Sequence, residues 1–141
     1  MHIEIHDTPT PALLAFLSDS LYAHNCRVTG ADDYQAFALV LRTDSGETAG
    51  GASGWTRWGW LHLDVLWIND AHRGQGHGSR LLRQVEDLAR KRGCELVTLD
   101  TASFQAPDFY LRHGYQEMFR MDVPRHDIVK YHFRKLLGPT G

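Results

Sequence analysis

The chain has 141 residues, 43% of them hydrophobic and 23% charged, which is the composition of one ordinary globular domain large enough to bury a core. Fifteen basic against 17 acidic side chains leave a formal net charge of −2, without the basic excess that a nucleic-acid binder normally carries. Two cysteines, Cys26 and Cys94, make no disulfide framework and no CxxC pair, so reduced thiols are expected. The opening MHIEIHDTPTP lacks a basic, apolar leader, and no apolar run reaches the ~20 residues of a membrane span. The expectation is a cytoplasmic protein of a single domain, residues 1–141, with no membrane and no nucleic-acid partner.

In chain order, HIEI reads as a short first strand. A helix follows, with Thr10 as its cap, Pro11 at its first position and Leu13, Leu14, Leu17 and Leu21 along one side. YQAFALVLR is a strand, TDSGET a hairpin turn, and TAGGASGW a second strand whose Gly50–Gly51 pair suggests a bulge or a close backbone approach. WGWLHLDVLWI is a long strand, apolar on parts of both faces and therefore central. Leu81, Leu82, Val85, Leu88 and Ala89 then repeat at helical spacing as far as Gly93. CELVTLD is a buried strand, APDFYLRHG a short helix, and YQEMFRM and IVKYHFRKL two further strands. The order β-α-β-β-β-α-β-α-β-β predicts a mixed sheet with packed helices, α/β or α+β in class.

Between the long strand and the second long helix lies DAHRGQGHGSRLL, with glycines at 74, 76 and 78. A helix mouth offers unpaired N–H groups and a partial positive charge, and glycine lets an anion approach that backbone. Strand Leu61–Ile68, turn Arg73–Gly78 and helix Ser79–Arg92 thus predict a phosphate or pyrophosphate site, with Arg73 adding a formal charge. A P-loop would need GxxxxGK, and no lysine is present here. A Rossmann fingerprint would need GxGxxG, whereas the spacing is GxGxG, although Asp100 ends the next strand where an acid would hold a ribose.

R-x-x-G-x-G, formed by Arg73, Gly76 and Gly78 after LDVLWI, resembles the pyrophosphate loop of the GNAT N-acetyltransferase superfamily. GETAGGASGW before it and the later APDFYLRHGY, which matches the family's A-x-x-FY element, extend the resemblance along the chain, as do length and element order. It implies a small, single-domain bacterial-type member with a mixed, mostly antiparallel sheet of six to seven strands and helices on both faces. It also implies acetyl-CoA as co-substrate, direct acetyl transfer to a primary amine, a small-molecule or peptide acceptor, and a homodimer through the C-terminal strands as a familiar arrangement.

Residue by residue, the resemblance puts the acetyl-CoA loop at Arg73, Gly74, Gln75, Gly76, His77, Gly78 and Ser79. The pantetheine arm falls to Leu66, Trp67 and Ile68 on a strand that splays from its neighbour, with Ala106 and Phe109 beside it. Tyr110 becomes the proton donor to the departing thiolate, although a Phe–Tyr pair on a helix also reads as core. Asp64 stands where many relatives carry a glutamate base, either directly or through a water, and His62 is the alternative; a polar strand residue with a neighbouring partner is the competing reading of both. Nine histidines show no metal-ligand spacing, so no metal is expected. Trp55, Trp58, Trp60 and Trp67 read as core, some of them walling an acceptor pocket. A silent acyl-CoA-sensing module and a Rossmann-type nucleotide enzyme are the two alternative functions.

Overall fold

The computed structural model describes residues 1–138, and the chain divides into two compact units, one spanning Met1–Asp32 and the other starting at Asp33. The first unit is built on helix α1, Pro11–Thr29. The Thr10 side chain accepts from the Leu13 N–H, Pro11 fills a position that needs no donor, and Gly30 closes the helix with φ 72°. The Tyr22 hydroxyl donates to the Asp32 carboxylate, and that bond pushes the phenol pKa up. His2–Ile5 form no strand, contrary to the sequence reading. Alternation over so few residues makes a strand only against a partner ladder, and this unit has none.

The second unit carries β1 (Gln35–Arg42), β2 (Thr48–Arg57), β3 (Trp60–Ile68), helix α2 (His77–Lys91), β4 (Leu96–Ala102), helix α3 (Pro107–Arg112), β5 (Gln116–Val123) and β6 (Ile128–Leu136). They form a six-stranded sheet in the order β1-β2-β3-β4-β6-β5. Every neighbouring pair is antiparallel except β3 and β4. That topology excludes the doubly wound parallel sheet of a Rossmann enzyme. The expected central strand is β3, and it begins at Trp60. Trp58 and Gly59, with φ 54° and 72°, instead form the tight turn from β2.

Close approach explains the glycines of β2. A side chain at Gly50 would stand 2.5 Å from the Trp67 carbonyl oxygen, one at Gly51 2.6 Å from that of Leu39, and one at Gly54 would collide with the His62 carbonyl. The β2–β3 register shifts between Ser53 and Gly54. One continuous core unites Leu61 and Leu63 of β3, Val97 and Leu99 of β4, Leu82, Val85 and Ala89 of α2, Tyr110 of α3 and Phe133 of β6. Both helices of this unit therefore lie over the same side of the sheet.

Helix α2 starts at His77, two residues before its expected beginning, because Gly76 at φ 82° serves as its N-cap. Its buried side also includes Glu86, which apolar periodicity does not reveal. Lys135 of β6 lies 2.8 Å from that carboxylate, and the Tyr115 hydroxyl donates to it at 3.2 Å. No helix among the described residues is long and apolar enough to cross a membrane.

Candidate active site

Strands β3 and β4 pair in parallel only from Trp60↔Leu96 to Leu63↔Leu99. Beyond that point β3 continues through Ile68 and β4 through Ala102 without facing each other across a ladder. The two strands part like an opened seam, so backbone polar groups on the β4 side of Asp64–Ile68 are left for something other than a strand. Just past the seam the chain turns through Arg73–Gly76 into α2. Gly74 and Gly76 adopt φ 74° and 82°, a conformation side chains resist. Gly78 differs: a side chain there would only touch the Phe109 ring at 3.6 Å, an ordinary contact.

A cavity of about 720 Å³ opens over this loop. Of the expected acetyl-CoA residues, Arg73, Gly74, Gly76, His77, Gly78 and Ser79 line it from the loop and helix mouth. Leu66, Trp67 and Ile68 line it from the end of β3, and Ala106 and Phe109 from the start of α3. Gln75 belongs to the same loop but does not line the cavity. Arg73 is tied back, its Nε donating to the Ile68 carbonyl at 2.9 Å and its guanidinium 2.9 Å from the Asp70 carboxylate. The Ser79 hydroxyl sits 2.9 Å from His113 Nε2, a neighbour not apparent from the sequence. Burial pulls the His113 pKa down.

A second cavity, about 390 Å³, lies in the open seam itself. It shares Leu66, Trp67, Gln105, Ala106 and Tyr110 with the larger one. Two carboxylates reach it, Asp64 from β3 and Asp100 from β4. Asp100 is paired with Lys130 of β6 at 2.7 Å. Asp64 is half exposed and stands 3.5 Å from His62 Nε2. Gln105, unremarked in the sequence, braces the wall by accepting from the Ala102 N–H at 2.7 Å.

Tyr110 belongs to both cavities. Its ring is buried among Phe109, Tyr115 and Phe133, at centroid distances of 5.1, 5.8 and 6.2 Å. Burial pushes its pKa up to about 12, and no hydrogen-bond partner for its hydroxyl is present among the described residues. A hydroxyl without a protein partner, on a buried ring that lines two cavities, is poised for a ligand. The tryptophans divide: Trp67 walls both cavities, whereas Trp55 and Trp60 pack edge to face at 4.6 Å beside His62. The Arg57 guanidinium covers the Trp55 and Trp58 rings at 4.9 and 4.2 Å.

A splayed pair of parallel strands, a glycine loop at a helix mouth and a buried tyrosine lining two adjacent cavities lie together in this unit. The acetyltransferase (GNAT) family model matches residues 3–115, and the chain belongs to that family; it is an N-acetyltransferase. It is 38% identical over 113 residues to the blasticidin-S acetyltransferase of Streptomyces morookaense, covering 79% of this chain and 78% of that protein. It is 35% identical over 102 residues to acetyltransferase Atu2258 of Agrobacterium fabrum, covering 72% and 74%. The solved structure of an acetyltransferase from Bacillus cereus matches with a TM-score of 0.82 and 31% identity, over 97% of this chain and 98% of that one.

Proposed function

We propose that the chain moves an acetyl group directly from acetyl-CoA to a primary amine, the donor entering by the larger cavity and the amine by the smaller one. The observation that carries this reading is the position of Tyr110, a buried residue that lines both cavities and whose hydroxyl has no partner among the described residues. Position 78 supports the donor assignment, because neither its backbone nor its protein neighbours demand glycine there, whereas a ligand at the helix mouth would. Acetyl-CoA would supply the acetyl group as an activated thioester.

The protein's part follows from its own groups. Arg73, freed from Asp70, and the N–H groups of Gly76–Ser79 would hold the pyrophosphate. Backbone groups of the open edge Leu66–Ile68 would orient the donor's arm. Asp64 would take the proton of the attacking amine, and a Tyr110 phenol held protonated to about pH 12 would supply one to the departing sulfur. Asp64, the carboxylate of the smaller cavity that no lysine pairs with among the described residues, suits that cavity to a cationic amine.

Calorimetric titration with acetyl-CoA tests the donor site, and thiol release from acetyl-CoA with a panel of primary amines tests turnover. Expected are one acetyl-CoA site, abolished by Gly78→Asp, and amine-dependent thiol release. Unaltered acetyl-CoA affinity in Gly78→Asp would overturn the loop assignment, and tight binding with no turnover on any amine would overturn the acceptor class.

A further inference from the structure

We propose that His62 is a positioning residue for Asp64, fixed by Thr98 and Trp60 as the tautomer that carries its proton on Nε2. This rests on the reading of Asp64 as the base. Trp60 and His62 alternate along β3 onto one face of the sheet, and Asp64, the extra residue where the register with β2 shifts, comes within 3.5 Å of His62. Thr98 of β4 lies directly opposite His62 in the parallel register. Its buried hydroxyl oxygen is 2.6 Å from Trp60 Nε1 and 2.7 Å from His62 Nδ1.

The hydrogen-bond inventory of these three groups decides the tautomer. An indole N–H only donates, so Trp60 donates to the Thr98 oxygen. If His62 Nδ1 also carried a proton, both neighbours would donate to that oxygen, and the hydroxyl's own proton would have no acceptor. No third polar partner of this hydroxyl is present among the described residues, and leaving a buried donor unpaired is costly. Thr98 therefore donates to Nδ1, and the proton of the neutral ring sits on Nε2. The Trp55 ring, 5.5 Å from His62 and tilted by 33°, and the Trp60 ring, 6.1 Å away, wall the imidazole in that orientation.

Nε2–H then faces Asp64 Oδ1 at 3.5 Å. That is a contact rather than a hydrogen bond, and a small rotation of the half-exposed aspartate closes it. The N–H engages one carboxylate oxygen and leaves the other turned to the seam cavity, ready for the proton of an amine. His62 presents its one ring N–H to Asp64 and orients the group that reacts. The arrangement has the logic of a base held by a third group, here transmitted from an indole through a hydroxyl and an imidazole.

Imidazole nitrogen NMR of the 15N-labelled protein at neutral pH reads the tautomer directly. Expected is a protonated Nε2 and an unprotonated Nδ1 at His62 in the unaltered protein, replaced by a tautomer mixture in Thr98→Val and restored in Thr98→Ser. In parallel, kcat falls about tenfold in Thr98→Val and His62→Leu, part of the 10²–10⁴ that a general base contributes. The KM for acetyl-CoA stays unchanged, and Thr98→Ser recovers kcat. A proton on Nδ1 in the unaltered protein overturns the proposal, whatever the variants do. So does a Thr98→Ser protein as slow as Thr98→Val. If Asp64→Asn is inactive while His62→Leu is fully active, positioning fails and the base stands. If Asp64→Asn keeps full kcat, the base reading falls and takes the role of His62 with it.

Discussion

Lys135 Nζ lies 2.8 Å from Glu86 Oε1 and 2.9 Å from the His113 carbonyl oxygen, so one ammonium ties α2, the end of α3 and β6 together. Glu86 is almost wholly buried, and removing its cation would strand a carboxylate in the core. Lys135→Met is expected to cost about 2–4 kcal/mol, below the full cost of a broken buried pair because Lys135 is partly exposed. Thermal unfolding should show it, with Glu86→Leu/Lys135→Met recovering much of the loss. A double variant as unstable as the single one would refute the account.

His113 should give the fold an acid sensitivity. Desolvation, countered by Glu86 and aided by Lys135, lowers its pKa below the ordinary 6.5. Below about pH 6.5 the unfolded chain takes up a proton that the folded one resists, so stability falls as pH drops through the lowered folded value. Urea midpoints compared at pH 7.5 and 5 should decline less for His113→Gln than for the unaltered protein. Equal declines would remove His113 as a cause.

Tyr110→Phe removes only the hydroxyl from a buried ring. Turnover should fall about 10²-fold or more, with acetyl-CoA affinity nearly unchanged. Since a pKa near 12 keeps the phenol protonated, turnover of the unaltered protein should show no alkaline limb from this group below about pH 11. Equal kcat in the variant would take Tyr110 out of the chemistry.

Gly78→Ala should separate stability from binding. In the first turn of α2 alanine is the better helix former, worth up to about 1 kcal/mol, and its methyl group meets the Phe109 ring at an ordinary distance. Melting temperature should rise or hold while acetyl-CoA binding weakens several-fold. Unchanged affinity would mean that nothing approaches the backbone at this point.

What could be read in the sequence was what depends on local pattern. The Thr10 cap, the apolar spacing of α2, the strand IVKYHFRKL and the glycine loop all follow from neighbours within a few residues. His2–Ile5 show the limit of that reasoning, since alternation makes a strand only where a ladder exists to join. The start of α2 lies outside local pattern because Gly76 caps the helix through a left-handed backbone, not through a side chain that spacing could reveal. Ser79–His113, Asp100–Lys130 and His62–Thr98 join residues 34, 30 and 36 positions apart. They arise from strand register and helix packing, which no local pattern encodes. Buried Glu86 escaped for a related reason: its partner Lys135 lies 49 residues away.

The strand order has a further consequence, for synthesis. β6 is made after β5 yet lies inside the sheet, between β4 and β5. While a ribosome is still adding Ile128–Leu136, β4 has β3 as its only possible neighbour, and that pairing ends at Leu63↔Leu99. The meander of β1, β2 and β3 can close early through its short turns. The pairing of Asp100 must wait for Lys130 to emerge, so the β4 side of the seam cavity is the side that matures late.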